Sequence, residues 1–269
     1  MVHEISQASS AILFPQNYSL LLDGQYKVIA YQCRKFRVWA RGGALPTFEN
    51  KVAIVTGGGQ SVGRAIALAL AERGATVIVA DVDQAGASET VAAIKAAGGS
   101  AETSEFKPAD ETTWHAIVDR AASLGGLNVL VNAAVDRVVG PLTDMSFDDF
   151  RRAEETNLVA PWLGMRAAIK VMRETGGGAI VSVTAAPAQS GIPGMAALTA
   201  ASGGVRIMTQ AAALECGQKA DGIRVNAVIA TSDADGASPD PEKIAKTVLQ
   251  IAADESTFMT AAALIVGGG

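Results

Sequence analysis

Tyrosine, histidine and cysteine are all scarce in this 269-residue chain, and each scarcity excludes something. The three tyrosines, Tyr18, Tyr26 and Tyr31, all precede residue 32, so the rest of the chain must do without a phenol. The two histidines, His3 and His115, cannot build a metal cluster, and no metal is expected. The two cysteines, Cys33 and Cys216, lack metal spacing and suggest a reducing compartment without a disulfide framework. Charged residues are 18% of the chain and the net charge is -5, which argues against a nucleic-acid or anionic-membrane surface. No apolar run of about 18 residues is present, so no membrane span is expected. Phe14 is followed by Pro15, Gln16 and Asn17, which leaves no signal-peptide core. Together these absences predict a soluble, cytoplasmic globular protein.

What the chain does have is apolar surface, 49% of its residues, enough for a sizeable core. Residues 1–48 read as an N-terminal β-type arm. Asp23-Gly24 between apolar runs is a hairpin signal, and Phe36, Val38 and Ala40 alternate as a further strand would. From residue 49 to 269 strands and helices alternate. Strands are predicted at Lys51–Thr56, Thr76–Ala80, Val129–Asn132, Ala179–Val183, Arg224–Ile229 and Ala263–Val266. Helices are predicted at Arg64–Arg73, Gly86–Ala97, Asp148–Arg173, Leu198–Gly217 and Pro241–Asp254. This order implies an α/β fold, a single Rossmann-like, doubly wound parallel sheet with helices on both faces.

Thr56-Gly57-Gly58-Gly59-Gln60-Ser61-Val62-Gly63 follows a strand and opens a helix. Free N–H groups and partial positive charge at a helix N-terminus suit a pyrophosphate. Asp81 ends the next strand, where an acid can bind the ribose hydroxyls of NAD. The glycines would equally serve a tight turn and close helix–sheet packing. The segment resembles the T-G-x-x-x-G-x-G pattern of the short-chain dehydrogenase/reductase family. Val131-Asn132-Ala133-Ala134, Asn157, Ile223-Arg224-Val225-Asn226-Ala227-Val228 and Leu264-Ile265-Val266-Gly267-Gly268 continue that resemblance over Lys51–Gly269. It makes Gly57, Gly63, Asp81 and Asn132 the residual cofactor-binding residues.

The departures from the family pattern carry the functional reading. Ser61 replaces the middle glycine, and its Cβ intrudes where the backbone should approach pyrophosphate. Val135 replaces a glycine beside the cofactor channel, Lys107 an adenine-contacting aspartate, and Ala230-Thr231 a Pro-Gly. A carbonyl that gains hydride must also gain a proton, and the family supplies it from a tyrosine assisted by a lysine one helical turn on. Aligned on Gly203-Gly204, the tyrosine position holds Leu198, the lysine position Ser202 and the serine position Ala185. Only Asn157 of the catalytic four survives, as a vestige. Tyr31 and Lys35 share the right spacing but lie in the arm, in a strand-like pattern that separates their heads by roughly 13 Å. The connection Ile229 to Asp240 is also too short for the usual substrate lid.

The resemblance therefore implies a non-catalytic subunit without tightly bound cofactor. Its partner would be a homologous, active short-chain dehydrogenase subunit that holds NAD, in a heterotetramer. Mixed assemblies with one inert subunit type are known among hydroxyacyl-CoA dehydrogenases of this family. Assembly would use the two long helices, with Ala160, Trp162, Leu163, Met165 and Ala168 on the first and Ala200, Ala201, Val205, Met208 and Ala212 on the second. Two other readings stay open. One is a nucleotide or metabolite sensor built on the residual pocket. The other is an active oxidoreductase with atypical acid–base groups, such as Asp136 or the Asn157 region acting through water.

Overall fold

A computed structural model describes residues 46–185, 191–231 and 240–267, together with residues 20–22 and 26–29 of the N-terminal arm. The strands are β1 (Leu20–Leu22), β2 (Tyr26–Ile29), β3 (Val52–Thr56), β4 (Thr76–Asp81), β5 (Ser100–Glu105), β6 (Val129–Asn132), β7 (Gly178–Ala185), β8 (Ile223–Ala230) and β9 (Ala263–Val266). They form one sheet in the order β1-β2-β9-β8-β7-β6-β3-β4-β5. β3 to β9 are parallel, and β1 and β2 add an antiparallel pair beside β9. The seven-stranded parallel part, with helices on both faces, is a Rossmann-like α/β fold.

The helices are α1 (Ser61–Glu72), α2 (Gln84–Ala96), α3 (Glu111–Ser123), α4 (Phe147–Glu154), α5 (Ala160–Glu174), α6 (Ala196–Lys219) and α7 (Pro241–Ala252). Strand alternation divides the core between the two faces. Ala53, Val55, Val77 and Val79 pack with α1, α2 and α7, whereas Val52, Ile54, Ile78 and Leu130 pack with α3, α5 and α6. No helix among the described residues is long and apolar enough to cross a membrane.

Three differences from the sequence reading have physical causes. β5 was not anticipated because it is an edge strand of polar sequence, Ser-Ala-Glu-Thr-Ser-Glu, in which only Ala101 is buried. α3 was also missed, although its signal is present: Asp110 caps it through Thr112 N, and Trp114, Ile117, Val118 and Ala121 form one buried stripe. The predicted single helix Asp148–Arg173 is α4 and α5 joined by a π-turn at Glu155–Val159. Pro161 has no N–H to give the carbonyl of Asn157, and the ladder widens there. The Asp23-Gly24 turn, the Phe36–Ala40 alternation, Tyr31 and Lys35 lie outside the described residues.

Candidate functional site

The C-terminal ends of β3, β4, β6 and β7 bring the motif residues together, and the glycine turn is the first of them. Gly57 has φ +68, and a Cβ there would meet Ala134 Cα at 2.6 Å. At Gly63 a Cβ would meet the Gly57 carbonyl oxygen at 2.0 Å. Thr56 Oγ1 accepts from Ala133 N (3.1 Å) and Ala134 N (3.3 Å), so the turn is clamped against the segment that follows β6. Gly57 and Gly63 are thus required by packing, whatever the turn binds.

Ser61, where the family has glycine, lies in the left-handed region that favours glycine, with φ +45, and is exposed. A left-handed L-residue is strained by about 1–2 kcal/mol, and glycine would return part of that as chain entropy. Ser61→Gly is therefore expected to stabilise the chain by about 0.5–1 kcal/mol, read as a higher urea midpoint with an unchanged slope. A lower midpoint would mean that the serine side chain has a stabilising partner.

Asp81 is buried, and both its carboxylate oxygens are engaged within the chain. Oδ2 accepts from Gly59 N at 2.8 Å and Oδ1 from Asp83 N at 2.9 Å. Gln60 in the turn donates to Asp83 Oδ2 at 3.2 Å. The acid that could hold a ribose also ties the glycine turn to the start of α2. Lys107 is paired with Glu105 at 3.0 Å, and Val135 is 55% exposed on the loop leaving β6. Just past β8, Thr231 N donates to Val266 O at 2.9 Å.

Asn132 is 3% exposed. Its Nδ2 donates to Ser182 Oγ at 3.2 Å, and its Oδ1 has no partner. Asn157, on the π-turn, serves the backbone. Its Oδ1 accepts from Asp136 N (2.9 Å) and its Nδ2 donates to Asp136 O (2.8 Å). Arg152 then holds the Asp136 carboxylate at 2.9 Å. The loop after β6 is thereby fastened to the π-turn, and Asp136, one of the suggested alternative acid–base groups, is ion-paired.

Leu198 and Ser202 lie on α6 at 2% and 3% exposure, inside the molecule rather than at an open cleft. Ala185 ends β7 opposite Ala230, so methyl groups line that rim. Thr184 Oγ1 is buried without a partner. Asn132, Ser182, Thr184, Ala185, Leu198 and Ser202 together offer hydroxyls and an amide but no group that titrates near neutrality. One residue that sequence reasoning passed over is Glu154, a turn before Asn157. Burial pushes its carboxyl above the usual carboxylate range, and Oε1 has no partner. Its sequence position alone carries no signal of this.

Similarity to known proteins agrees with the geometry of the fold. The family profile described as short chain dehydrogenase matches residues 51–232. The 3-alpha-(or 20-beta)-hydroxysteroid dehydrogenase of Mycobacterium bovis is 31% identical over 240 residues, 82% of this chain and 89% of that one. The cis-4-hydroxycyclohexanecarboxylate dehydrogenase of Sinomonas cyclohexanicum is 34% identical over 244 residues, 82% of this chain and 97% of the other. A dehydrogenase/reductase structure from Sinorhizobium meliloti superposes with a TM-score of 0.77 at 29% identity, over 83% of this chain and 96% of that one. The turn, the strand-end asparagine, the π-turn asparagine and these relationships have one meaning: the chain belongs to the short-chain dehydrogenase/reductase family.

Proposed function

We propose that this chain is a non-catalytic subunit that assembles with, and supports, an active homologous NAD-dependent short-chain dehydrogenase. The observation that carries the reading is the filling of the proton-transfer positions by Leu198, Ser202 and Ala185, the first two buried in the core. No tyrosine after Tyr31 is available to take the role from elsewhere in the Rossmann-like body. The retained motif residues are accounted for by structural duties: Gly57 and Gly63 by the close approach of backbone, Asp81 by the turn, Asn157 by the loop at Asp136. The Cβ that Ser61 adds to the turn, where the family has glycine, counts against a tightly bound dinucleotide. NAD would then be held by the partner subunit.

The two long helices supply a surface for such a partner. Ala160, Leu163, Met165, Ala168, Ala201 and Val205 are buried in the chain's own core, and Met208 and Ala212 pack against it. Trp162 (46% exposed), Ile207 (52% exposed), Ala200 and Ala211 are not so occupied, and a Cβ at Gly203 would meet nothing within 4 Å. Arg166 sits over the Trp162 ring at 5.4 Å and shields one side of it. Met208 and Ala212 are therefore poor probes of assembly, because charge there would strike the core. Ile207→Arg is expected to abolish co-elution with the active subunit, at least about tenfold in affinity, while leaving the chain's thermal midpoint in place. Light scattering on the tagged pair co-purified from the source organism makes the measurement. A captured chain must itself carry the serine, tyrosine and lysine and lose activity without this subunit. Co-elution unaffected by the change would move the contact elsewhere.

The partner's substrate is read at the level of a secondary alcohol. The hydroxyl of 2-(hydroxy(phenyl)methyl)succinyl-CoA, oxidised in anaerobic toluene degradation by a heterotetramer with an inert subunit, is one instance. The names of the relatives point instead to hydroxysteroids and hydroxycyclohexane compounds.

A second reading, a nucleotide sensor, is favoured by the intact backbone of the turn at Gly57–Gly63. Isothermal calorimetry with NADH separates the two. No heat at concentrations up to about 1 mM is expected of the non-catalytic subunit, corresponding to less than about 4 kcal/mol of binding. Saturable micromolar binding would give the sensor reading the advantage.

A further inference from the structure

The parallel part of the sheet ends in two strands, β5 and β9, and they are protected differently. β5 is polar. Arg120 clasps Glu102 with two bonds of 2.6 and 2.7 Å, and Lys107 pairs with Glu105. Charge of this kind discourages a neighbouring chain from adding a strand. β9, Ala263-Leu264-Ile265-Val266, has no charge at all. An apolar edge of this composition is a template for intermolecular pairing.

That edge is covered by the chain itself. β2 runs antiparallel to β9 with Tyr26 opposite Val266, Lys27 opposite Ile265, Val28 opposite Leu264 and Ile29 opposite Ala263. β1 then pairs with the far side of β2. The backbone bonds on the other side of β9 show which groups are involved. Ala227 N donates to Ala262 O and Thr231 N to Val266 O, so the even-numbered residues of β9 face β8. The N–H and C=O groups of a strand alternate in direction, so those of Ala263 and Ile265 face β2. Lys27 with Ile265 and Ile29 with Ala263 are accordingly the bonded pairs, and the backbone N–H and C=O groups of Tyr26 and Val28 face β1.

We propose that the N-terminal hairpin is an edge cap: it occupies β9 and denies that strand to a second copy of this chain. Sheet continuation between copies is thereby closed, and self-association through β9 occurs only when the cap is released. This holds whether or not the chain turns over a substrate.

Residue-resolved hydrogen exchange on the full chain tests it. In the unaltered protein the amides of Ala263 and Ile265 should exchange as slowly as those of Leu264 and Val266. Lys27→Pro removes the N–H that faces Ile265 O. It should speed exchange at Ala263 and Ile265 by roughly tenfold or more, with Leu264 and Val266 still held by β8. Light scattering should then show concentration-dependent growth beyond the parent's mass, with the thermal midpoint of the body unchanged. Fast exchange at Ala263 and Ile265 in the unaltered chain would overturn the proposal. So would a Lys27→Pro protein whose exchange or mass matches the parent's.

Discussion

Purified free of any homologous subunit, the chain is expected to reduce neither NAD nor NADP with cyclic secondary alcohols or hydroxyacyl thioesters. A general acid or base is worth about 10²–10⁴ in rate, and the positions at which the family carries that group, its lysine and its serine hold Leu198, Ser202 and Ala185. The stronger form of the expectation concerns repair. Ala185→Ser, Leu198→Tyr and Ser202→Lys together are expected to leave turnover roughly 10³-fold or more below that of an intact relative. Positions 198 and 202 are buried, so a phenol there overpacks the core and a lysine there is desolvated. Ser61 would still stand in the glycine turn, where the family has glycine. NADH fluorescence in single-turnover and steady-state assays makes the check. Robust turnover by the triple variant would mean that the cradle is open to NAD, and turnover by the unaltered chain would end the non-catalytic reading.

The largest expected effect on stability lies at Arg224, near the start of β8. Its guanidinium donates to Ile251 O, to Ala252 O at 2.9 Å and to Ala253 O at 2.8 Å, the carbonyls left open at the end of α7. Two residues on, Asn226 donates to Met259 O (3.0 Å) and accepts from Ala262 N (3.1 Å), which sets the approach to β9. The Arg-Val-Asn motif thus fastens α7 and β9 to β8. Arg224→Leu is expected to cost about 3 kcal/mol, since charge-assisted bonds are lost and half-buried carbonyls are left open. Arg224→Lys should recover less than half, because one ammonium cannot reach three carbonyls as a planar fork does. Urea unfolding with a single midpoint gives the number. A loss under about 1 kcal/mol would show that water replaces the guanidinium at the helix end.

The fold was legible where burial is two-sided. Val52–Val55 and Val129–Val131 are unbroken apolar runs; the strand read at Lys51–Thr56 begins one residue later, at Val52, and that read at Val129–Asn132 has those bounds. Legibility failed at β5, where one buried alanine carries the whole strand signal, and at the π-turn, where a single proline changes the ladder. In the site, the missing tyrosine is a matter of inventory and could be read directly. The duties of the survivors could not be. They depend on contacts between distant residues, Gly59 with Asp81, Gly57 with Ala134 and Asn157 with Asp136, which no local pattern announces.

The pairing of β2 with β9 also sets an order of events during synthesis. Strand β2, at 26–29, leaves the ribosome before the parallel sheet, and its partner at 263–266 leaves after the other six parallel strands. A hairpin of this size can close on itself within microseconds, long before its docking strand exists. It then waits through translation of the entire parallel sheet, which proceeds at about 5–20 residues per second. A segment made before the parallel sheet thus finds its place after it, and its docking waits on the completion of β9.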